Sequence, residues 1–270
     1  MSSRQRASWR LFIDEPACGA RNMAIDHALF ETVQSGAVPV LRLYRWDPPC
    51  LSLGRNQPAR YDAIQVKGAG ATLVRRPTGG LAVYHDRELT YAIIAPIAVI
   101  GRPREAFARI SHAIAAALRA LGVPAEIASQ SAASRPLQSP EPCFRAAASG
   151  EVIAHGEKLV GSAQRCERQT ILQHGSLLLD GDQAVLDDWL EQDGAAGGIA
   201  VRQLERAGNT SVRALTGAVP AWATLCESLV RAFRDTSGDE VEPATLTSGE
   251  LHRISALENH YRSDAWTWRR

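Results

Sequence analysis

Apolar and polar positions alternate along several short stretches of the chain, a pattern that predicts β-strands with one buried face. In the clearest stretch, residues 40–45, apolar side chains alternate with two arginines. The stretches with a strand pattern are residues 9–13, 39–46, 50–53, 72–75, 81–84, 89–95, 152–154, 159–163 and 170–179.

Helical spacing is strongest over residues 103–121, where apolar side chains recur on one face from Phe107 to Leu118 and Gly122 ends the pattern. Residues 130–142 are rich in Ser, Ala and Pro and predict an irregular loop. Further helical patterns cover residues 22–33, 184–190 and 220–233. Many strands with a few long helices predict an α+β fold, a mixed and largely antiparallel sheet flanked by helices.

The pattern weakens after residue 235, where only a few short elements are predicted. No internal repeat or clear linker divides the chain. Because the pattern weakens after residue 235, we expect a main domain in residues 1–235 and a C-terminal extension in residues 236–270, whose role the sequence leaves open.

The composition is that of an ordinary folded protein, with 270 residues, 45% of them apolar and 22% charged. It excludes disordered and collagen-like classes, and a net charge of +1 gives no basic footprint for nucleic acid. The longest apolar run, residues 91–100, is broken by Pro96 and is too short to span a membrane. We find no signal-peptide pattern and expect a cytoplasmic protein with neither nucleic-acid nor membrane partners.

Lysine is nearly absent: Lys67 and Lys158 are the two lysines among 30 basic residues. A genome-wide preference for arginine explains the bias. A lysine that is kept can nevertheless mark a site that needs a compact ammonium with a shiftable pKa. We interpret Lys67 as a surface residue and Lys158 as a candidate functional residue.

Residues 75–86 contain the highest density of candidate ligand-binding residues in the chain. Gly79 and Gly80 would let the backbone approach a ligand closely, and Arg75 and Arg76 could bind a carboxylate or phosphate. On the residues alone, an ordinary hairpin turn explains the same string. The spacing of a dinucleotide fingerprint and the lysine of a P-loop are both missing.

The string R-R-P-T-G-G-L-A-V-Y-H-D at residues 75–86 resembles a signature of the biotin and lipoate protein ligase superfamily, on its lipoyl and octanoyl side. R-N-M-A-I-D at residues 21–26 resembles a helix start of that family. K-L-V-G-S-A-Q at residues 158–164 and L-Q-H-G-S-L at residues 172–177 resemble a third segment. The resemblance covers most of residues 9–190 in the family's order and implies its α+β catalytic-domain fold.

The string P-C-F at residues 142–144 resembles the motif of the Cys-dependent octanoyl-[acyl carrier protein]:protein N-octanoyltransferases. Cys143 precedes Lys158 at the spacing of that branch. The resemblance implies that Cys143 carries the acyl group as a thioester, while Lys158 lowers the pKa of the thiol and stabilises the oxyanion. Residues 145–150 depart from the family pattern, so the sequence leaves the donor's identity open.

The resemblance also implies an acyl site. Its predicted residues are Arg75, Arg76, Thr78, Gly79, Gly80, His85, Gly161, Ser162, Ala163, Gln164, His174 and Gly175. His85 could donate to the acyl carbonyl or simply order its loop, and His174 could shape the pocket or act as a base. Residues 161–163 could form a wall for a straight acyl chain, although tight strand packing explains them equally well. No His, Cys, Asp or Glu set has metal-ligand spacing, so we expect no metal.

The implied function is transfer of an octanoyl or lipoyl group from acyl carrier protein, through Cys143, to a lysine ε-amine. The acceptor would be a lipoyl domain or the glycine-cleavage H protein, and no cofactor would be needed. The alternatives are an ATP-dependent lipoate-protein ligase, octanoyl transfer between carrier domains, and a non-catalytic acyl-binding module. A biotin ligase is least favoured because its nucleotide-binding loop is missing. Acyl chain length and oligomeric state are not fixed by the sequence.

Overall fold

The protein is described by a computed structural model over residues 6–129, 148–190 and 208–269. Helices and strands follow one another in this order: β1 (Ser8–Ile13), α1 (Gly19–Gln34), β2 (Val40–Tyr44), β3 (Cys50–Leu53), α2 (Ala63–Gly68), β4 (Thr72–Arg75), β5 (Val83–His85), β6 (Glu88–Pro96), α3 (Ile97–Ile100), α4 (Pro103–Ala120), β7 (Glu126–Ile127), β8 (Val152–Ala154), β9 (Glu157–Lys158), β10 (Val160–Glu167), β11 (Thr170–Leu178), α5 (Val185–Asp188), α6 (Val212–Thr216), α7 (Trp222–Ser237), β12 (Glu240–Pro243), α8 (Ser248–Arg262) and α9 (Asp264–Thr267).

A six-stranded sheet in the order β10-β11-β6-β2-β1-β12 forms the centre of the molecule. Neighbouring strands from β10 to β2 pair antiparallel, whereas β2, β1 and β12 pair parallel. The prediction of a mixed, largely antiparallel sheet flanked by helices is confirmed.

Both faces of this sheet are covered. Leu41 and Leu43 belong to a core shared with α4 and α7, whereas Val40 and Tyr44 face a core shared with α1 and α8. The alternation along β2 thus separates two cores, because successive side chains of a strand point to opposite faces. Among the described helices, none combines the length and apolar character that a membrane crossing requires.

Two small sheets lie beside the central one. The order β4-β3-β5 places the end of β4, which opens the R-R-P-T-G-G string, next to β3. The order β7-β8-β9 carries Lys158 at the end of β9. Both small sheets therefore present residues of the predicted motifs.

The C-terminal extension is more regular than its weak pattern predicts. In place of a few short elements, β12 pairs with β1 and the 15-residue helix α8 packs against α1. The pattern is weak because α8 buries a narrow stripe formed mainly by Ile254, Leu257 and Tyr261 among polar residues. The reciprocal capping box of Thr247 and Glu250 is the local signal that could have predicted this helix.

His27 lies between α1 and α8. The Tyr261 hydroxyl is 3.0 Å from its Nδ1, and its Nε2 is 3.7 Å from the Glu31 carboxylate. Burial lowers the pKa of His27 to about 4; the Glu31 carboxylate opposes this change, and positive neighbours add to it. His27 is therefore neutral at neutral pH, with the Tyr261 hydroxyl donating to Nδ1.

We expect the free energy of unfolding to decrease as the pH falls below about 6.5, the ordinary pKa of His27. The folded-state pKa is the lower one, so the unfolded chain binds the proton first, and the loss at pH ~5 is about 2 kcal/mol. Urea unfolding at pH ~7.5 and ~5 measures this loss. His27→Gln keeps an acceptor for Tyr261 and should reduce the pH dependence. An unchanged pH dependence in the variant would contradict the assignment.

Candidate active site

A narrow cavity lies where the central sheet meets the R-R-P-T-G-G loop. Its volume is about 20 Å³. That volume holds about one water molecule, so the walls must separate before an eight-carbon chain can enter. The cavity is lined by Tyr44, Trp46, Arg76, Val83, His85, Thr90, Gly161, Ser162, Ala163, His174, Gly175 and Ser176.

Predicted site residues from separate motifs meet in this wall. The register of β10 and β11 places Ser162 opposite Gly175 and Ala163 opposite His174. Arg76 and His85 reach the same cavity from the R-R-P-T-G-G string. These residues are thus brought together in the fold, and their role in substrate binding stays a prediction.

Gly175 is required by the packing of this wall. A Cβ at this position would lie 2.7 Å from the Gly161 carbonyl oxygen and 2.7 Å from a ring carbon of Tyr91. It would also lie 2.8 Å from the Ser162 Oγ. Tight strand packing therefore explains the glycine whether or not an acyl chain contacts it.

His174 is held at both ring nitrogens. Its Nε2 lies 2.6 Å from the Thr78 Oγ1, and its Nδ1 lies 3.2 Å from Asp26 Oδ2. Burial lowers the pKa of His174, although Asp26 favours the protonated ring. A neutral ring that donates from Nδ1 and accepts at Nε2 satisfies every group. This geometry favours a pocket-shaping role over that of a general base.

Asp26, from the R-N-M-A-I-D motif, is the centre of a buried ion-pair network. Its carboxylate accepts from Arg42 Nη1 at 2.7 Å and from the Tyr44 hydroxyl at 3.0 Å, and it also faces His174. Burial alone would raise the pKa of Asp26, but Arg42 and His174 outweigh burial and hold the pKa below its usual value. Through His174 and Thr78, this network joins all three family motifs.

His85 lies in a second chain of buried hydrogen bonds. Its Nε2 is 2.5 Å from Ser52 Oγ, its Nδ1 is 2.8 Å from Glu88 Oε1, and its ring stacks on Trp46. Arg76 Nη1 also donates to Ser52 Oγ at 2.6 Å, and a ring that accepts from Ser52 at Nε2 and donates to Glu88 from Nδ1 satisfies both partners. His85 thus orders its surroundings; donation to an acyl carbonyl would require one of these bonds to break.

The two arginines of the motif bind backbone carbonyls. Arg76 Nη2 donates to the Gly79 carbonyl at 3.1 Å. This bond helps to close the loop that contains Thr78, Gly79 and Gly80, here called the glycine loop. Arg75 is fully buried and donates through Nη1 to the carbonyls of Gly54 and Gln57, at 2.7 and 2.6 Å. The structure places Arg75 outside the cavity wall, and its donors serve the backbone.

Three other predicted residues, Gly79, Gly80 and Gln164, are not among the residues that line the cavity. Gly80 has a φ of 87°, and a Cβ there would lie 3.5 Å from the Ala163 Cβ. Gly79 precedes it in the same loop. Gln164 donates through Nε2 to Gln173 Oε1 at 2.6 Å, so its amide is held within the sheet.

Lys158 forms a buried ion pair that the sequence analysis did not predict. Its Nζ lies 2.8 Å from Glu151 Oε1, and the two side chains are 3% and 6% exposed. Glu151 Oε2 also accepts from the Ala148 backbone N–H at 2.7 Å. The turn predicted after β8 could have indicated Glu151 as the partner. In this hairpin Lys158 pairs with Ile153, and Glu151 lies two residues before Ile153. Side chains offset by two residues across a strand pair are within reach of a long side chain. A fixed, buried ammonium suits the stabilisation of negative charge.

Cys143, the predicted nucleophile, lies outside the described residues. Burial raises the pKa of Cys50 to about 12 and that of Cys226 to about 11, which makes both thiols poor nucleophiles at neutral pH. Cys166 is exposed and Cys18 is half-buried. Within the described ranges, no group of three or more His, Cys, Asp or Glu side chains is arranged to hold a metal ion.

The chain has clear relatives among known proteins. Residues 19–234 match the family model of the lipoyl protein ligase A/B catalytic domain. The chain is 37% identical to octanoyltransferase LipM of Kyrpidia tusciae, covering 97% of this chain and 99% of that protein. It is 36% identical to octanoyltransferase LipM of Moorella thermoacetica, covering 97% and 98%.

Solved structures share the fold. A lipoate-protein ligase A bound with ATP superposes with a TM-score of 0.78 at 24% identity, covering 97% of this chain and 98% of the other. A bi-partite lipoate protein ligase from Thermoplasma acidophilum, described with its E2 lipoyl domain, gives a TM-score of 0.78 at 25% identity, covering 97% and 96%.

Proposed function

Because this chain belongs to the lipoyl protein ligase A/B catalytic-domain family, we infer that it is an acyltransferase that transfers octanoyl groups in protein lipoylation. The observation that carries this conclusion is the similarity to octanoyltransferases along nearly the whole chain. The family resemblance and the acyltransferase prediction drawn from the motifs are confirmed. The reducing cytoplasm is the compartment we propose for the reaction.

In the first half-reaction, the Cys143 thiolate attacks the carbonyl carbon of an octanoyl thioester on acyl carrier protein. A new C–S bond forms, the old C–S bond breaks, and the carrier thiolate leaves and takes up a proton. One thioester replaces another, so the exchange needs little driving force and no nucleotide. The P-C-F string and its position before Lys158 support this assignment.

In the second half-reaction, the neutral ε-amine of an acceptor lysine attacks the enzyme thioester. A C–N bond forms, the Cys143 thiolate leaves, and the nitrogen loses a proton to give the amide. The acceptor is a lipoyl domain of a 2-oxoacid dehydrogenase or the glycine-cleavage H protein; the similar archaeal lipoate protein ligase, which has an E2 lipoyl domain, supports the first. Kinetics should be ping-pong, with no metal or ATP.

Lys158 supplies the positive charge for both steps. Its ammonium lowers the pKa of a nearby thiol and stabilises the tetrahedral oxyanion. Glu151, at 2.8 Å, fixes the position of the Lys158 Nζ within a buried site. The acyl chain would lie along Gly161 to Ala163, with Gly80 on the opposite side and the cavity widened to admit it.

The decisive experiment is intact-protein mass spectrometry after mixing the enzyme with octanoyl-acyl carrier protein in the absence of ATP. We expect one octanoyl adduct on the wild type, released when an apo lipoyl domain is added, because the thioester intermediate is covalent. Cys143→Ala should form no adduct.

Cys166→Ala is the matched control, since Cys166 is an exposed thiol. This variant should retain the adduct. If the wild type forms no adduct but modifies the domain once ATP and free octanoate or lipoate are supplied, the ATP-dependent ligase is the correct function. A second carrier domain that accepts the group instead would indicate transfer between carriers.

A further inference from the structure

The C-terminal segment, defined as residues 264–269, is hydrogen-bonded to the R-R-P-T-G-G motif. Trp266 Nε1 donates to the carbonyl oxygen of Arg75 at 2.8 Å, and Arg75 Nε donates to the carbonyl oxygen of Thr267 at 2.9 Å. Arg269 also donates to the Arg55 carbonyl. The family model matches residues 19–234, so this segment lies outside the range that the model matches.

Arg75 connects this segment to a neighbouring turn, residues 54–57. Its Nη1 donates to the carbonyls of Gly54 and Gln57, while its Nε is occupied by Thr267. The guanidinium is fully buried, so these carbonyls are what solvates its charge. One buried guanidinium therefore hydrogen-bonds to both the C-terminal segment and the turn.

The turn at residues 54–57 contacts the glycine loop beside the cavity. The Arg55 N–H donates to the Thr78 carbonyl at 2.7 Å. Gly54 lies so close to Gly80 that a Cβ would overlap the Gly80 carbonyl oxygen. A Cβ on Gly80 would in turn lie 3.5 Å from the Cβ of Ala163, so the turn contacts the loop where the loop approaches the cavity wall.

We propose that Trp266 and Thr267 are positioning residues for the acyl site, acting through Arg75 and the turn at residues 54–57 on the glycine loop. This inference rests on the proposed octanoyl transfer. Residues 264–269 are not among the residues that line the cavity, and their hydrogen bonds to Arg75 and Arg55 lead to the loop beside it, so we expect their effect on binding of the acyl chain rather than on the chemical step.

The test compares Trp266→Phe with Trp268→Phe and with deletion of residues 264–270. Trp266→Phe keeps an aromatic ring but removes the donor to Arg75. We expect the KM for octanoyl-acyl carrier protein to rise about tenfold, the upper effect of one lost neutral hydrogen bond, with kcat within about twofold. The deletion should raise KM further, and Trp268→Phe should leave both constants unchanged.

Hydrogen exchange of the peptide at residues 76–82 gives a second readout that needs no activity. Trp266→Phe should speed exchange there relative to Trp268→Phe. An unchanged KM would overturn the inference. If exchange is also unchanged, Trp266 does not stabilise the loop; if exchange is faster, Trp266 stabilises the loop but the loop does not affect binding of the acyl chain. If kcat and the melting temperature of Trp266→Phe both fall while KM is unchanged, the residue has a merely structural role and the inference is overturned. A wild type without octanoyl transfer would instead refute the proposed function, and exchange would still report the coupling.

Discussion

Replacing Lys158 by methionine is expected to lower kcat for octanoyl transfer about 100- to 1000-fold, the usual effect of removing a preorganised oxyanion stabiliser. The substitution keeps the length and the apolar stem of the side chain and removes the charge. The rate of Cys143 octanoylation in a single turnover, followed by mass spectrometry, measures the loss directly. Lys158→Arg should recover only part of the rate, since the guanidinium is larger and planar.

The same substitution leaves Glu151 buried without its partner, which costs about 3–5 kcal/mol of stability. The double variant Lys158→Met with Glu151→Gln removes both charges and should recover most of this loss in urea unfolding while staying slow. Lys67→Met is the matched control, because Lys67 is exposed and is the other lysine of the chain. A double variant that is stable and transfers at the wild-type rate would exclude Lys158 from the chemistry.

Asp26→Asn is expected to lower the free energy of unfolding by about 3–5 kcal/mol, because it removes one partner of a fully buried ion pair. The asparagine would leave the Arg42 cation undercompensated and would present an amide where His174 and Tyr44 now donate. For a chain of this size, the melting temperature should fall by roughly 2–4 °C per kcal/mol. Thermal and urea unfolding check both values.

Asp14→Asn provides the comparison for this effect. Asp14 accepts from the Nε of the same arginine at 2.6 Å, but its side chain is 26% exposed, so water can replace it. We expect a loss of about 1 kcal/mol there, in line with partly exposed pairs. If Asp14→Asn and Asp26→Asn lower the free energy of unfolding equally, burial of the Asp26–Arg42 pair adds nothing to the stability of the protein.

Local patterns located most elements near the site. The helical spacing over residues 103–121 corresponds to α4 (Pro103–Ala120), and the alternation at residues 72–75 corresponds to β4. These predictions succeeded because one strongly apolar face or a regular alternation is visible without any long-range information. The helix α8 was missed because its buried stripe is narrow and its stability comes from packing against α1.

The sequence does not predict which groups the Arg75 and Arg76 side chains contact. They are neighbours in one motif and were predicted to share a role, yet Arg76 lines the cavity and Arg75 binds the turn at residues 54–57 and the C-terminal segment. Successive residues of an extended chain point to opposite faces, and only the surrounding structure decides what each face meets.

The sequence by itself determined the fold class, the family and the acyl-transfer chemistry, because these are carried by local patterns and by three ordered motifs. The tertiary structure alone decided the partners of the motif residues: Arg42 for Asp26, Glu151 for Lys158, and Glu88 for His85. It also decided that Trp266 and Thr267 hydrogen-bond to Arg75, more than 190 residues earlier in the chain. Such pairings depend on strand register and on contacts between distant segments, which no local string of residues encodes.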